Sequence, residues 1–500
     1  HQHDLFRELL TVREHLYVHT LLMMDQTATR DRVVVEKRVE ELIEQLDLIK
    51  CQNTIIGFPD ESGISGGERR RLSIATVISN KPSLLFLDEA TSGLDSYKAL
   101  GIIKLLKKIA KGHGTGGNRV TVIATIHQPS ARIFRELEEL LVLVEGHNAY
   151  FGPANQLRSY CDTMDTQCPP FTNPAEFFLE NLMESKIDRL RVRDAWTSSK
   201  RGSDTKKHYL LSAVKKNKVT TTTGEEENVD SRISGLVQLR VLLYRELIDR
   251  RRNKILTVVL LVRTCVVMVF VGSIYLGLGR QSDQTAVQSI NGALFFLMVN
   301  QGLAFMISTV NTFPKELVVF HREYSSGIYG IIPYYLSKSL SNFLLDMILG
   351  VMFAPIGFYM VGFSEDNIVF GTFLAILAMI TFVTTSAAYM ISCLAASEQV
   401  AYLLAILFIS FALVPSGFII QLDEVPDYYI WLRESSPYTW VFRLLMVNQW
   451  RDYGPIECSS TDQSKGFCTP LERPFEDGRA VLDFYDIKSD HNEAWIILGG

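Results

Sequence analysis

Five stretches in the second half of the chain, 255–278, 290–310, 336–361, 369–394 and 400–420, are predominantly apolar over the about 20 residues that a helix needs to cross a bilayer. In hydrocarbon a segment must satisfy its backbone N–H and C=O groups internally, so this region is expected to be a bundle of membrane-spanning helices. Charge fixes the direction. Arg250, Arg251, Arg252 and Lys254 precede the first stretch, and Lys315, Arg322 and Lys338 lie between the second and third. The loop around Glu365 and Asp366 holds no lysine or arginine. The positive-inside rule then puts the N-terminal half and the second-to-third connection in the cytoplasm. Pro415-Ser416-Gly417 is expected to kink the fifth helix. Arg263 and Asp346 fall inside spans, where an ionised group is costly and either snorkels or is paired.

The first half is charged and mixed, and is organised around residues 64–95, ISGGERRRLSIATVISNKPSLLFLDEATSGLD. Ser65-Gly66-Gly67-Glu68 opens a helix, and unpaired first-turn N–H groups at such a start make an anion site. Leu84-Leu85-Phe86-Leu87 fits a fully buried parallel strand, and ligands gather beyond the carboxyl ends of such strands. Asp88 would sit at that end, where a carboxylate holds Mg²⁺ directly or through water. Glu89 is placed to polarise an attacking water, and Asp95 closes the segment.

Upstream, Val35, Val39, Leu42 and Leu46 recur at helical spacing. Downstream, Ala99, Ile102, Ile103, Leu106, Ile109 and Ala110 form the apolar stripe of a helix that Gly112 can stop. Residues 120–126 read as a second buried strand ending at His127, and 140–151 as a hairpin. Strand, helix, strand is an α/β pattern. A neutral imidazole at His127, beside the strand that ends in Asp88 and Glu89, would donate to a phosphate and accept from the water.

In order and spacing these segments resemble the signature sequence, Walker B strand and D-loop of an ABC-type ATPase. Thr125-Ile126-His127-Gln128-Pro129-Ser130 and Asn173-Pro174-Ala175-Glu176-Phe177, with the ATPase ahead of the membrane region, are similar to markers of the white-type, G subfamily of ABC transporters. Gln2-His3-Asp4-Leu5-Phe6 and Leu10-Thr11-Val12-Arg13-Glu14 resemble that family's Q-loop and the segment after it. The resemblance implies an α/β P-loop-type ABC ATPase domain, incomplete because the phosphate loop GxxxxGK[ST] is missing upstream of Gln2, followed by an all-α transmembrane domain. Truncation at both ends is the expectation, with 495–500 as the start of a sixth span.

By the same resemblance ATP and Mg²⁺ are the cofactors. Glu89 and His127 are catalytic, Asp88 and Gln2 serve Mg²⁺, and Gln2, Ser65, Gly66, Gly67, Glu68 and Asp95 bind nucleotide. Each signature would cap the ATP of the partner subunit, so a second half-transporter, identical or not, is required. Glu323, in the cytoplasmic loop 315–327, would couple the domains by pairing with arginines of 233–250. Phe296, Asn300 and Leu303 of the second span and Ile406 and Ser410 of the fifth would line a path for a hydrophobic or amphipathic substrate. Phe418 and Ile419 would plug it toward the outside.

The expected organisation is 1–153 for the partial nucleotide-binding domain, 154–232 for a family-specific segment and cytoplasmic linker, and 233–254 for an amphipathic connecting helix able to lie on the membrane. Spans one to five occupy 255–421, an extracellular or lumenal loop 422–494, and the sixth span starts at 495–500. Residues 195–230 are polar and biased and cannot bury a core. On the oxidising side, Cys458 and Cys468 favour a local disulfide. No cysteine spacing suggests zinc, and a net charge of −5 argues against a nucleic-acid surface. Three functions compete: an exporter of lipids, sterols or amphipathic compounds; a soluble ABC ATPase of the DNA-repair or translation kind, which five spans oppose; and a non-hydrolysing membrane partner that completes another subunit's ATP site.

Overall fold

The computed structural model describes residues 6–24, 32–58, 62–112, 119–162, 168–184, 196, 233–281, 283–459, 462, 468 and 474–487. The chain divides into two units, His1–Val237 and Gln238–Gly500.

In the first unit, α1 (Val12–Met23) starts at Thr11, whose hydroxyl accepts from the Glu14 N–H while the Glu14 carboxylate accepts from the Thr11 N–H. Helix α2 (Arg32–Gln45) buries Val35, Val39 and Leu42 of the predicted stripe together with Ile43, and Leu46, the stripe's last member, is buried just past the helix end. Helix α3 (Gly66–Ile78) ends before Pro82, which cannot continue a helix. Buried His15 and His19 of α1 reach Thr76 on α3 and Ser79 just past its end, at 3.1 and 3.0 Å. Strand β1 (Leu84–Leu87) crosses over through α4 (Ser96–Ala110) to β2 (Thr121–Ala124), and the strands pair in parallel from Leu84↔Thr121 to Leu87↔Ala124. The short α5 (Ala131–Phe134) leads to a hairpin of β3 (Glu139–Val144) and β4 (His147–Pro153), turned by Glu145 and Gly146 at positive φ. Helices α6 (Leu157–Asp162) and α7 (Pro174–Glu184) pack Leu157, Cys161 and Phe178 with Tyr150 of β4 and Trp196.

The strands are not fully buried, contrary to the sequence reading. Leu85 is covered, but Phe86 is 69% exposed and Ile123 is 50% exposed. The reason is layer count. Among the described residues this sheet has two strands, and nothing described covers its second face.

The second unit is helical. Helix α8 (Gly235–Arg252) buries Gln238, Val241, Leu242, Arg245 and Glu246, and leaves Leu236, Tyr244 and Leu247 outward. Among the described residues five helices or helical stretches are long and apolar enough to cross a membrane: α9 (Lys254–Ile274) from Thr257 on, α10 (Gln284–Ser325), α11 (Ile331–Val361), α12 (Asn367–Leu394), and α13 (Glu398–Leu413) with its extension to Ser416. They answer the five predicted stretches. Helix α10 has 42 residues, about 63 Å at 1.5 Å per residue, twice the hydrocarbon thickness. Residues 315–325, read as loop, are therefore helix, continued through Pro314. The expected kink falls at Pro415, whose φ −84° and ψ +19° are non-helical: α13 runs to Leu413, a 3₁₀ turn (Val414–Ser416) continues it, and Gly417 takes φ +95°.

The segment after the fifth span departs most from expectation. The short α14 (Ile430–Ser435) is followed by α15 (Pro437–Trp450), and α16 (Gly478–Phe484) comes later. Tyr438, Val441, Phe442, Leu445 and Trp450 of α15 belong to the same core as Ile290, Leu294 and Leu297 of α10 and Phe373 and Ile380 of α12. Residues 437–450 are thus part of the bundle and not of a loop. At 14 residues with Arg443 inside, α15 is too short and too interrupted to read as a span. At its last residue, Trp450 Nε1 donates to Asn291 Oδ1 at 2.7 Å, and beyond it Asp462 accepts from the Gln284 N–H (3.1 Å) and the Thr285 hydroxyl (2.7 Å) at the start of α10. Gln284 exchanges two hydrogen bonds with the Phe475 backbone. Cys458 and Cys468 are bridged, with Cα atoms 6.0 Å apart.

Candidate functional site

The strand pair β1/β2 brings its two carboxyl ends side by side, and one hydroxyl organises what lies there. Thr125 Oγ1 donates to Asp88 Oδ1 and accepts from the Glu89 N–H, both at 2.7 Å. Glu89 holds φ +46°, a conformation unfavourable for a side chain of its size. The Arg70 guanidinium stabilises it by donating to the Glu89 carbonyl at 2.5 Å and to the Asp88 and Ala90 carbonyls at 3.3 Å. Asp88 and His127 are solvent-exposed and Glu89 is half-buried. Gln128, just after His127, also has positive φ (+45°), so both strand ends turn sharply at the same edge.

The glycine-led helix start lies against the segment that follows Glu89. A Cβ on Gly66 would be 3.9 Å from Leu94 Cδ2, and one on Gly67 would be 3.3 Å from Lys98 Cδ. Ser65 caps α3, and Glu68 accepts from the Ser65 N–H and hydroxyl, both at 2.8 Å. Burial raises the Glu68 pKa, but these Ser65 bonds outweigh it and hold the carboxyl below its ordinary range. Asp95 caps α4, accepting from the Tyr97 and Lys98 N–H groups and pairing with Lys98 Nζ at 2.8 Å. Its pKa is lowered, by the Lys98 side chain first. The carboxylates of Glu68 and Asp95 are thus occupied in fixing two helix starts. Gln2 lies outside the described residues, as do most of 195–230 and all of 495–500.

A charged constellation fills the end of the helical unit where α8, α10 and α11 meet. Arg245 of α8 donates to Glu323 Oε2 of α10 at 2.9 Å, and the Tyr329 hydroxyl donates to the same oxygen at 2.6 Å. Lys338 of α11 bridges Glu246 (2.8 Å) and Glu316 (2.6 Å), and Arg250 pairs with Asp346 at 2.6 Å. Asp346 is therefore a paired group, and Arg263 lies 3.4 Å from the Asn300 amide oxygen. Glu323 meets an arginine of 233–250, the contact expected for it. The role of Arg70, Thr125 and Lys338 was missed, since a lone Thr, Arg or Lys carries no spacing signal.

Of the path residues, Phe296, Asn300 and Leu303 follow one another along a side of α10 where Phe296 is exposed and the other two are half-buried. Ile406 and Ser410 are exposed on α13. Phe418 and Ile419 lie in different surroundings. The Phe418 ring stacks on Phe295 at 4.5 Å, inside the bundle, whereas Ile419 points out.

A model of the ABC transporter family matches residues 1–92, and a model of the ABC-2 type transporter membrane family matches residues 237–450. Protein white of Drosophila melanogaster is 34% identical over 473 residues, covering 93% of this chain and 66% of the relative. The ABC transporter ATP-binding protein/permease wht-1 of Caenorhabditis elegans is 28% identical, covering 98% and 74%. The broad substrate specificity ATP-binding cassette transporter ABCG2 of Sus scrofa is 30% identical, covering 90% and 70%. The chain spans about two thirds of the length of the first of these relatives.

Proposed function

This chain belongs to the white-type, G subfamily of ABC transporters, and from that premise we propose that it is one half of an ATP-driven exporter of lipids, sterols or amphipathic small molecules. The observation that carries the reading is the shared Thr125 hydroxyl, which holds the Asp88 side chain and the Glu89 backbone in fixed positions at one strand end. Two adjacent acids then take different tasks. Exposed Asp88, with one oxygen tied to Thr125, fits a cation that draws its remaining ligands from phosphate and water. Bound there, Mg²⁺ would neutralise charge developing on the phosphates. Glu89 orients the attacking water and accepts its proton, and His127 at the neighbouring strand end donates to the phosphate oxygen. Gln2 serves the same nucleotide.

Ser65, Gly66 and Gly67 present their N–H groups to the nucleotide of a partner half-transporter, identical or different, while Glu68 and Asp95 hold the two helix starts in shape. Within the helical unit, the buried Arg245–Glu323 pair ties α8 to the cytoplasmic end of α10, so a push on either moves both. The side of α10 carrying Phe296, Asn300 and Leu303, with Ile406 and Ser410 of α13, faces the path between two such bundles. The ATPase region is cytoplasmic. In vesicles, Glu89→Gln in the full-length protein should lower ATP hydrolysis by about 100-fold or more with nucleotide binding retained. Unchanged hydrolysis would defeat this mechanism and favour a subunit that only completes its partner's site.

A further inference from the structure

A narrow cleft opens between α11 and α12, lined by Ser339 and Phe343 of the first and by Thr381, Phe382, Thr385, Ser386 and Tyr389 of the second, the Tyr389 hydroxyl being already taken by the Asn342 amide. Hydroxyls on spanning helices ordinarily donate to the carbonyl four residues back. Three neighbours do so: Thr381 to Leu377 at 2.9 Å, Thr384 to Ile380 at 2.7 Å and Ser386 to Phe382 at 2.9 Å. Thr385 and Ser339 do not. Thr385 is only 7% exposed, and its Oγ1 and the Ser339 Oγ are buried without a hydrogen-bond partner. In hydrocarbon no water is at hand to relieve them.

The cleft itself says what would satisfy them. It has room of about 10 Å³ for the centre of a water-sized group, enough for one hydroxyl and too little for a sugar or phosphate. No lining side chain is charged, so an ionic headgroup would be left unpaired. At its mouth Phe343 and Phe382 meet edge to face, centroids 5.3 Å apart, and Phe382 is 48% exposed, an apolar wall for a hydrocarbon body. Ser339 lies eight residues from the cytoplasmic end of α11 and Thr385 nine from that of α12, about 12 and 14 Å. Helices of 31 and 28 residues overhang a 30 Å hydrocarbon layer by about 8 and 6 Å at each end. The cleft therefore sits roughly 4–8 Å below the inner headgroup boundary, within reach of a lipid's hydroxyl end.

We propose that this cleft binds a neutral membrane alcohol, a lipid whose polar end is a single hydroxyl, which pairs with Thr385 and Ser339 while its body lies along Phe343 and Phe382. The site opens to lipid, apart from the α10/α13 path, and does not rest on the transport reading. The test uses the full-length protein in lipid nanodiscs with two photoreactive probes, a diazirine-bearing sterol and a diazirine-bearing diacylglycerol, the labelled peptides being mapped by mass spectrometry. At least one probe should label 339–343 or 381–389, and the unlabelled alcohol should compete where its methyl ether does not. Thr385→Val should cut labelling five- to tenfold and Thr385→Ser should leave it. The two probes separate a ring alcohol from a diacyl one. Absence of label at both segments with both probes, equal competition by the methyl ether, or undiminished labelling of a folded Thr385→Val protein would each overturn the proposal.

Discussion

Replacing Thr125 with valine removes one oxygen and keeps the side-chain volume. That oxygen serves Asp88 Oδ1 and the Glu89 N–H, each at 2.7 Å. A net hydrogen bond contributes about 0.5–1.5 kcal/mol, more when an ion takes part. Thr125 is exposed, so water refills part of the loss, and the two together are worth about 1–2 kcal/mol. Glu89 adds a second effect. Its φ of +46° costs of order 1 kcal/mol and is held by this bond and by the 2.5 Å bond from Arg70. Without the hydroxyl the peptide can relax toward negative φ and swing the carboxylate off the water's position. A loss of about 1.4–2.7 kcal/mol in the transition state is a 10- to 100-fold drop in kcat. Hydrolysis by the full-length protein in nanodiscs, beside binding of a fluorescent nucleotide, measures it. Thr125→Val should lose that factor in kcat with near-normal affinity, and Thr125→Ser should recover most of it. Wild-type kcat in Thr125→Val would refute the claim that this hydroxyl sets both acids.

Three further outcomes follow from the geometry. Arg245→Met strands the buried Glu323 carboxylate and should cost about 3–5 kcal/mol of stability, which Glu323→Leu in the same chain should largely restore; thermal unfolding in detergent reads both. Gly302→Ala puts a methyl 2.5 Å from the Tyr438 hydroxyl and 3.1 Å from Thr384 Cγ2, for a loss of about 1–3 kcal/mol. Tyr438→Phe, which deletes a buried hydroxyl without a hydrogen-bond partner, should rescue it, and no rescue would mean the clash lies elsewhere. Glu68 has a folded pKa below the ordinary value of about 4.3, so its cap stabilises fully above that pH and fades as pH falls through the folded value. Thermal unfolding of Glu68→Gln against the parent from pH 7 to 3 should show a gap that narrows on acidification.

Periodicity carried most of the fold. The α2 stripe, the α4 stripe and the five spans each repeat a pattern long enough to be read without tertiary context. What failed was local sequence whose fate is decided elsewhere. Residues 437–450 carry a modest apolar run, and only packing on α10 and α12 makes it core. Leu84 to Leu87 looked buried on both faces because an apolar run cannot reveal how many layers cover it. At the candidate site the acids, histidine and glycines stood out by chemical type and order. Thr125 and Arg70 did not, because a hydroxyl 36 residues from the amide it binds leaves no mark in either segment. The pairing of Glu323 was legible because arginines crowd 233–250, but the Lys338 bridge required coordinates.

The N-terminal end of α10 is held together by groups encoded much later, Asn291 by Trp450 across 159 positions and Gln284 by Asp462 and Phe475. At about 5–20 residues per second, a ribosome needs roughly 8–32 s to bring Trp450 to its amide acceptor. During that interval α10 exists without the groups that clamp its first turns. A lesion in 437–487 should therefore leave the long helices able to form while the start of α10 stays unclamped, so that folding fails late and not at helix formation.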